Sequence, residues 1–109
     1  METFVASSVL ETTEAHAWEA GLALRVDVPP GMSVREDPHV PEVFYLESSL
    51  AAPDAAGAIE LAARVAVAVA AAAGVPMVLD EVVVIGACGV TRWAADVDAA
   101  VGSVDSSSS

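Results

Sequence analysis

Cys88, His16 and His39 are the side chains of this chain with the intrinsic chemistry of a nucleophile, a base or a metal ligand. Cys88 lies in Val82-Val83-Val84-Ile85-Gly86-Ala87-Cys88-Gly89-Val90-Thr91-Arg92, an apolar run ending in two closely spaced glycines. A glycine turn between a buried strand and a helix lets backbone approach a pyrophosphate at the helix N-terminus. A thiol placed there can also lose its proton more readily and act as a nucleophile. Three features count against a dinucleotide site. Arg92 holds the third glycine position, only Val90 to Ser109 follow, and no later strand carries an acid for a ribose. The segment is therefore expected to be a tight strand–helix turn with no bound cofactor, in which Cys88 packs as a small hydrophobe.

His16 stands between Glu14 and Glu19, and His39 stands near Glu36, Asp37 and Glu42. Either could join carboxylates around a metal, but neither has the His–His or Cys spacing that specifies one, so no metal site is assigned. Asp80-Glu81 could hold a cation, but the pair reads more simply as the solvated start of a strand. No Ser-His-Asp order, phosphate loop or paired-carboxylate spacing is present. Trp18 and Trp93 are the two largest side chains, expected in the core, or as binding hot spots if exposed.

The charge narrows the partners. Sixteen Asp and Glu face four Arg and no Lys, a net charge of −12. Such a surface repels phosphate backbones and anionic lipid, so neither nucleic acid nor membrane is an expected partner. The longest apolar run, Val65 to Leu79, is broken by Gly74 and Pro76 and falls short of a ~20-residue span. A single cysteine excludes an internal disulfide and fits a reducing compartment. With a start that lacks basic residues, this predicts a cytoplasmic protein.

The elements that would position these residues follow from periodicity. Val43 to Leu50 reads as a strand, Pro53-Asp54 opens an alanine-rich helix, Gly74-Val75-Pro76 closes it, and Met77 to Gly86 reads as a second strand. A parallel crossover of this kind fixes a mixed α and β fold. Ile59, Ala62, Ala66, Val69 and Ala73 trace the buried stripe of the helix, and Glu60–Arg64 forms an i, i+4 pair opposite. The polar stripe of Gly57, Glu60 and Arg64 runs on into Val67 and Ala71, which are apolar. That end of the helix is expected to be covered, either by the C-terminal segment or by a second subunit.

Residues 3–11 read as a strand. From Ala17 to Val28 the alternation of Leu22, Leu24, Val26 and Val28 favours another strand with a bulge at Gly21. The competing reading is a helix capped by Thr13, with Trp18 and Leu22 at i, i+4. Residues 29–41, with four prolines, read as a loop. Trp93, Val97 and Val101 repeat every fourth residue, which predicts a short helix over Val90 to Val101, ended by Gly102. The sequence thus predicts one α+β domain over 1–102, a two-layer sandwich of four strands on one long alanine-rich helix, with a short C-terminal helix. Residues 103–109 are expected to be a disordered polar tail. Thr3-Phe4-Val5-Ala6-Ser7-Ser8 echoes Val43-Phe44-Tyr45-Leu46-Glu47-Ser48-Ser49, which would make the chain a doubled β-α-β unit of ferredoxin-like type.

Two functions fit. The first is a non-catalytic interaction or accessory domain, a homodimer meeting at Val67, Ala71 and Trp93 or a domain that binds another protein. The second is a small enzyme or ligand-binding protein with a sheet–helix pocket built from His16, His39 or Cys88. Convergence of those three in one concavity separates the two.

Overall fold

The computed structural model describes residues 1–95, apart from the side chain of Asp27. Strands β1 (Glu2–Glu11), β2 (Met32–Glu36), β3 (Val43–Ala52), β4 (Val78–Gly86) and β5 (Gly89–Ala94) form one sheet in the order β2-β3-β1-β4-β5. Every neighbouring pair is antiparallel. Helix α1 (Ala17–Asp27), preceded by a single 3-10 turn at Glu14–His16, joins β1 to β2, and helix α2 (Ala55–Ala73) joins β3 to β4. Since β3 and β4 each run antiparallel to β1, they run parallel to each other with β1 inserted between them. By the same reasoning β1 and β2 are parallel with β3 between them. The crossover expected over Val43 to Gly86 is present, and a second one interleaves with it.

The strand alternation decides which face is covered. On β1, Phe4, Ala6, Ser8 and Leu10 are buried while Thr3 and Val5 are exposed, the period of a strand with one packed face. The register aligns Ser8 with Leu46 and Val82, and Leu10 with Phe44, on the packed face. Both helices lie over it. Asp54 caps α2 by accepting a hydrogen bond from Gly57 N at 2.8 Å. The cap is thus Asp54 and the first helical residue Ala55, two residues later than a helix opening at Pro53 would have them. Ala58, Ala62, Ala66 and Val69 face the sheet. Alanine at three of these four positions lets the helix axis lie close to the strands. Gly74 ends it at φ +73°, a conformation that costs glycine little, with its N–H donating to Ala71 O at 3.2 Å. The Thr12 hydroxyl donates to Pro76 O at 2.6 Å, tying this turn to the end of β1.

The segment read as a strand over Ala17 to Val28 is a helix. Its buried residues are Ala20, Gly21 and Leu24, spaced for one helical face, whereas Leu22 and Val26 of the supposed alternation are exposed. Ala20 and Leu24 pack with Phe44, Leu46, Ala66 and Val69, so α1 covers the β2–β3 half of the sheet. Gly21 is accordingly a mid-helix residue and no bulge. The bulge of this sheet lies at Val9/Leu10, where Asp80 of β4 is left without an opposite number.

The sheet has five strands where four were expected. β2 comes out of the proline-bearing stretch read as a loop, and β5 comes out of the segment read as a C-terminal helix. Gly86 pairs with Gly89, so Ala87-Cys88 is a two-residue hairpin turn. The remainder of that expected helix and the polar tail lie outside the described residues. α2 is, by length and composition, apolar enough to cross a bilayer, but it is packed along the sheet through its alanine stripe.

Candidate interaction surface

The hairpin removes the strand–helix turn on which both phosphate binding and thiol activation depended. Gly86 faces the packed side, where a Cβ would come within 2.6 Å of Phe4 Cε2. Ala87 N donates to Glu2 Oε2 at 2.7 Å, so the turn amide that could have met an anion already holds a carboxylate. Gly89 sits at φ +128°, where a side chain would be strained. The glycines are thus accounted for by packing and by the turn. Cys88 is exposed at its tip and not buried as a small hydrophobe.

The three reactive side chains do not converge. The Cys88 hairpin lies at the end of the sheet where β1 begins and β3 finishes, whereas His16 follows the end of β1 and His39 precedes the start of β3. A strand of that length separates the two ends by ~30 Å. Thr13 Oγ1 and His16 Nδ1 are hydrogen-bonded at 2.8 Å, and His39 offers its backbone N–H to Asp37 Oδ1 at 2.8 Å. Among the described residues, no group of three His, Cys, Asp or Glu side chains is placed to hold a metal.

Both tryptophans were expected in the core, and neither is there. Trp18 is 76% exposed on α1, at the mouth of a cleft of about 330 Å³ floored by Phe44 and edged by the Arg25–Glu36 ion pair. Trp93 pairs with Val82 in register and therefore stands on the helix side of the edge strand β5, partly exposed. Val67 and Ala71 are both exposed and line a shallow groove of about 280 Å³ with Leu10, Pro76 and Met77.

The face of the sheet turned away from the helices was missed by sequence reasoning. Three rows cross it in register. Arg35, Tyr45, Val9, Glu81 and Ala94 form the first, and Ser33, Glu47, Ser7, Val83 and Arg92 the second. Ser49, Val5, Ile85 and Val90 form the third. Val5, Ile85 and Val90 are 53%, 50% and 66% exposed, although they are cross-strand neighbours. Val82 and Val84 are buried under α2, so the run Val82 to Ile85 is apolar on both sides of β4. Antiparallel strands with one solvated face ordinarily alternate apolar with polar residues; a strand apolar on both sides is the pattern of a sheet covered twice. The signal in the sequence was this unbroken valine run, which read only as a buried strand.

The charges on this face are compensated locally. Arg35 bonds Glu47 at 3.2 Å and lies 4.5 Å from the centre of the Tyr45 ring, and Arg92 pairs with Glu81. Tyr45 donates its hydroxyl to Asp37 Oδ2 at 2.6 Å. That bond, followed by the amides of His39 and Val40, holds the Asp37 carboxyl below the usual range and pushes the Tyr45 phenol up. Uncompensated charge gathers at the β1 terminus, where a hydrogen bond with Asp80, then the Asp80 charge and the nearby Glu42, raise the pKa of Glu11.

No family model, no curated protein and no solved structure matches the chain.

Proposed function

We propose that the chain is a small non-catalytic interaction domain that self-associates as a homodimer. The observation that carries this reading is the apolar run of β4, which faces α2 on one side and lies exposed beside Val5 and Val90 on the other. A core made largely of alanine and valine buries little area per residue, so covering further apolar surface would add to its stability. The net charge of −12 argues against nucleic acid or anionic membrane as the partner, and the lone cysteine suits a cytoplasmic setting. The two interleaved β-α-β units and the order β2-β3-β1-β4 support the ferredoxin-like label, with β5 as an added edge; that label carries no function by itself.

The test is molar mass by light scattering across a concentration series. A mass near twice 11.0 kDa supports the reading, and a mass of 11.0 kDa at every concentration overturns it.

A second reading, small-ligand binding, is favoured by one observation: the cleft beside Trp18 has the volume of a small-molecule site and an aromatic wall. It uses none of His16, His39 and Cys88. Fluorescence titration of Trp18 against a panel of small cationic and aromatic compounds would test it, and a flat response would remove it.

A further inference from the structure

We infer that the partner of the open sheet face is a second copy of the same face, packed sheet against sheet. The inference rests on the self-association proposed above and specifies where the two copies meet.

Three observations select this occupant. The first is area. Five strands at a spacing of ~4.8 Å, crossed by rows covering ~20 Å of strand, give a face of roughly 500 Å² in projection. That is a substantial part of the ~800 Å² per partner typical of specific complexes. The second is charge. Two copies of a chain carrying −12 repel each other over most of their surface. Here two of the four arginines, Arg35 and Arg92, neutralise Glu47 and Glu81 within the face. A basic partner would be drawn to the acidic remainder of the molecule and would gain nothing from this neutral one. The third is arrangement. Val5, Ile85 and Val90 make an apolar row across β1, β4 and β5 at one end of the face, Val83 and Val9 extend it, and both ion pairs lie in the other two rows. A two-fold axis lying in the interface along that row sets Val5, Ile85 and Val90 of one copy on the same residues of the other. The segment after Ala95 is a poor competitor for the face by composition, since it carries Asp96, Asp98, Asp105 and a run of serines.

Antiparallel packing of the two copies also keeps the acidic ends apart. About an axis along the apolar row the two Glu11–Asp80 clusters lie on opposite sides, each ~20 Å from it, since Glu11 is six residues along the strand from Val5.

The experiment compares the full chain with Ile85→Glu and Val67→Glu by light scattering and sedimentation, with circular dichroism to verify folding. The expected result is a wild-type dimer, a folded Ile85→Glu monomer with association weakened at least ~100-fold, and a Val67→Glu dimer of unchanged affinity. Should Ile85→Glu fail to fold, spin labels at Ser7→Cys in a Cys88→Ser background give the distance across the interface. Sheets packed face to face at ~10 Å place those labels within ~25 Å. A wild-type dimer that survives Ile85→Glu, dissociates with Val67→Glu, or shows longer label distances overturns the sheet-face inference while leaving self-association standing. A wild-type monomer overturns both.

Discussion

Gly86 and Phe4 occupy the same small volume: a methyl group built on Gly86 would lie 2.6 Å from Phe4 Cε2 and 2.8 Å from Cδ2. Phe4 is 3% exposed and anchors the part of the core beneath the start of α2, so its ring has little room to yield. Gly86→Ala is therefore expected to lower stability by about 1–3 kcal/mol through overpacking. Urea denaturation checks this, and an unchanged midpoint would show that the ring moves freely.

Asp54 is the N-cap of the one long helix, and its carboxylate satisfies Gly57 N. Asp54→Ala should destabilise the fold by about 1 kcal/mol, and Asp54→Ser should restore most of the loss. The comparison of the two variants in thermal melts distinguishes capping from a general effect of charge. On a chain this acidic, removing a carboxylate would otherwise be expected to help.

Glu11 should make the protein more stable on mild acidification. Its pKa is raised by Asp80 and Glu42, so its stabilising contribution is complete below the ordinary glutamate range and is lost as the pH rises through its raised value. Glu11→Gln keeps a hydrogen-bond donor for Asp80 and removes the charge. Its melting temperature should exceed that of the wild type at pH ~7, and the difference should shrink towards pH ~4. A variant that melts below the wild type at neutral pH would refute the repulsion.

Asp37 gives the opposite sign. Its pKa is lowered by the Tyr45 hydroxyl and by the amides of His39 and Val40, so its contribution is present above the ordinary aspartate range and is lost as the pH falls through the lowered value. Asp37→Asn should melt below the wild type at neutral pH, with the two curves converging in acid. Because the group is exposed, the shift should be small and the loop between β2 and β3 should respond first. Amide exchange at His39 and Val40 is the sensitive measure, and unaltered protection there would count against the bonds.

The elements with strong local signals were legible in the sequence. α2 carries its cap, its stripe and its terminal glycine within one stretch, and β3 and β4 are long apolar runs flanking it. α1 was misread because, among its described side chains, it buries only Ala20, Gly21 and Leu24; with so few anchors the accidental alternation of Leu22, Leu24, Val26 and Val28 gave the stronger pattern. β5 was misread for a related reason. Trp93 and Val97 have helical spacing, but pairing of β5 along β4, through a hairpin turned by Gly89, outweighed it. The candidate surface was legible only in part. The valine run of β4 shows that both sides of the strand are apolar, but only the register with β1 and β5 reveals that Val5, Ile85 and Val90 adjoin one another. That is long-range information, which a local reading of the chain does not contain.

The insertion of β1 between β3 and β4 has a consequence for how the chain is made. The first strand to be synthesised is the middle of the sheet, and its two partners begin at Val43 and Val78. A nascent chain bearing only the first crossover has no completed neighbour for β1 on either side. Closure must wait until β4 has been synthesised, and the contacts that close the sheet are among the most distant in sequence. Such topology slows folding and delays it until β4 has emerged. During that interval Val5 and Val9 are exposed on an unpaired strand. Deleting the first few residues would remove the axis about which the rest assembles.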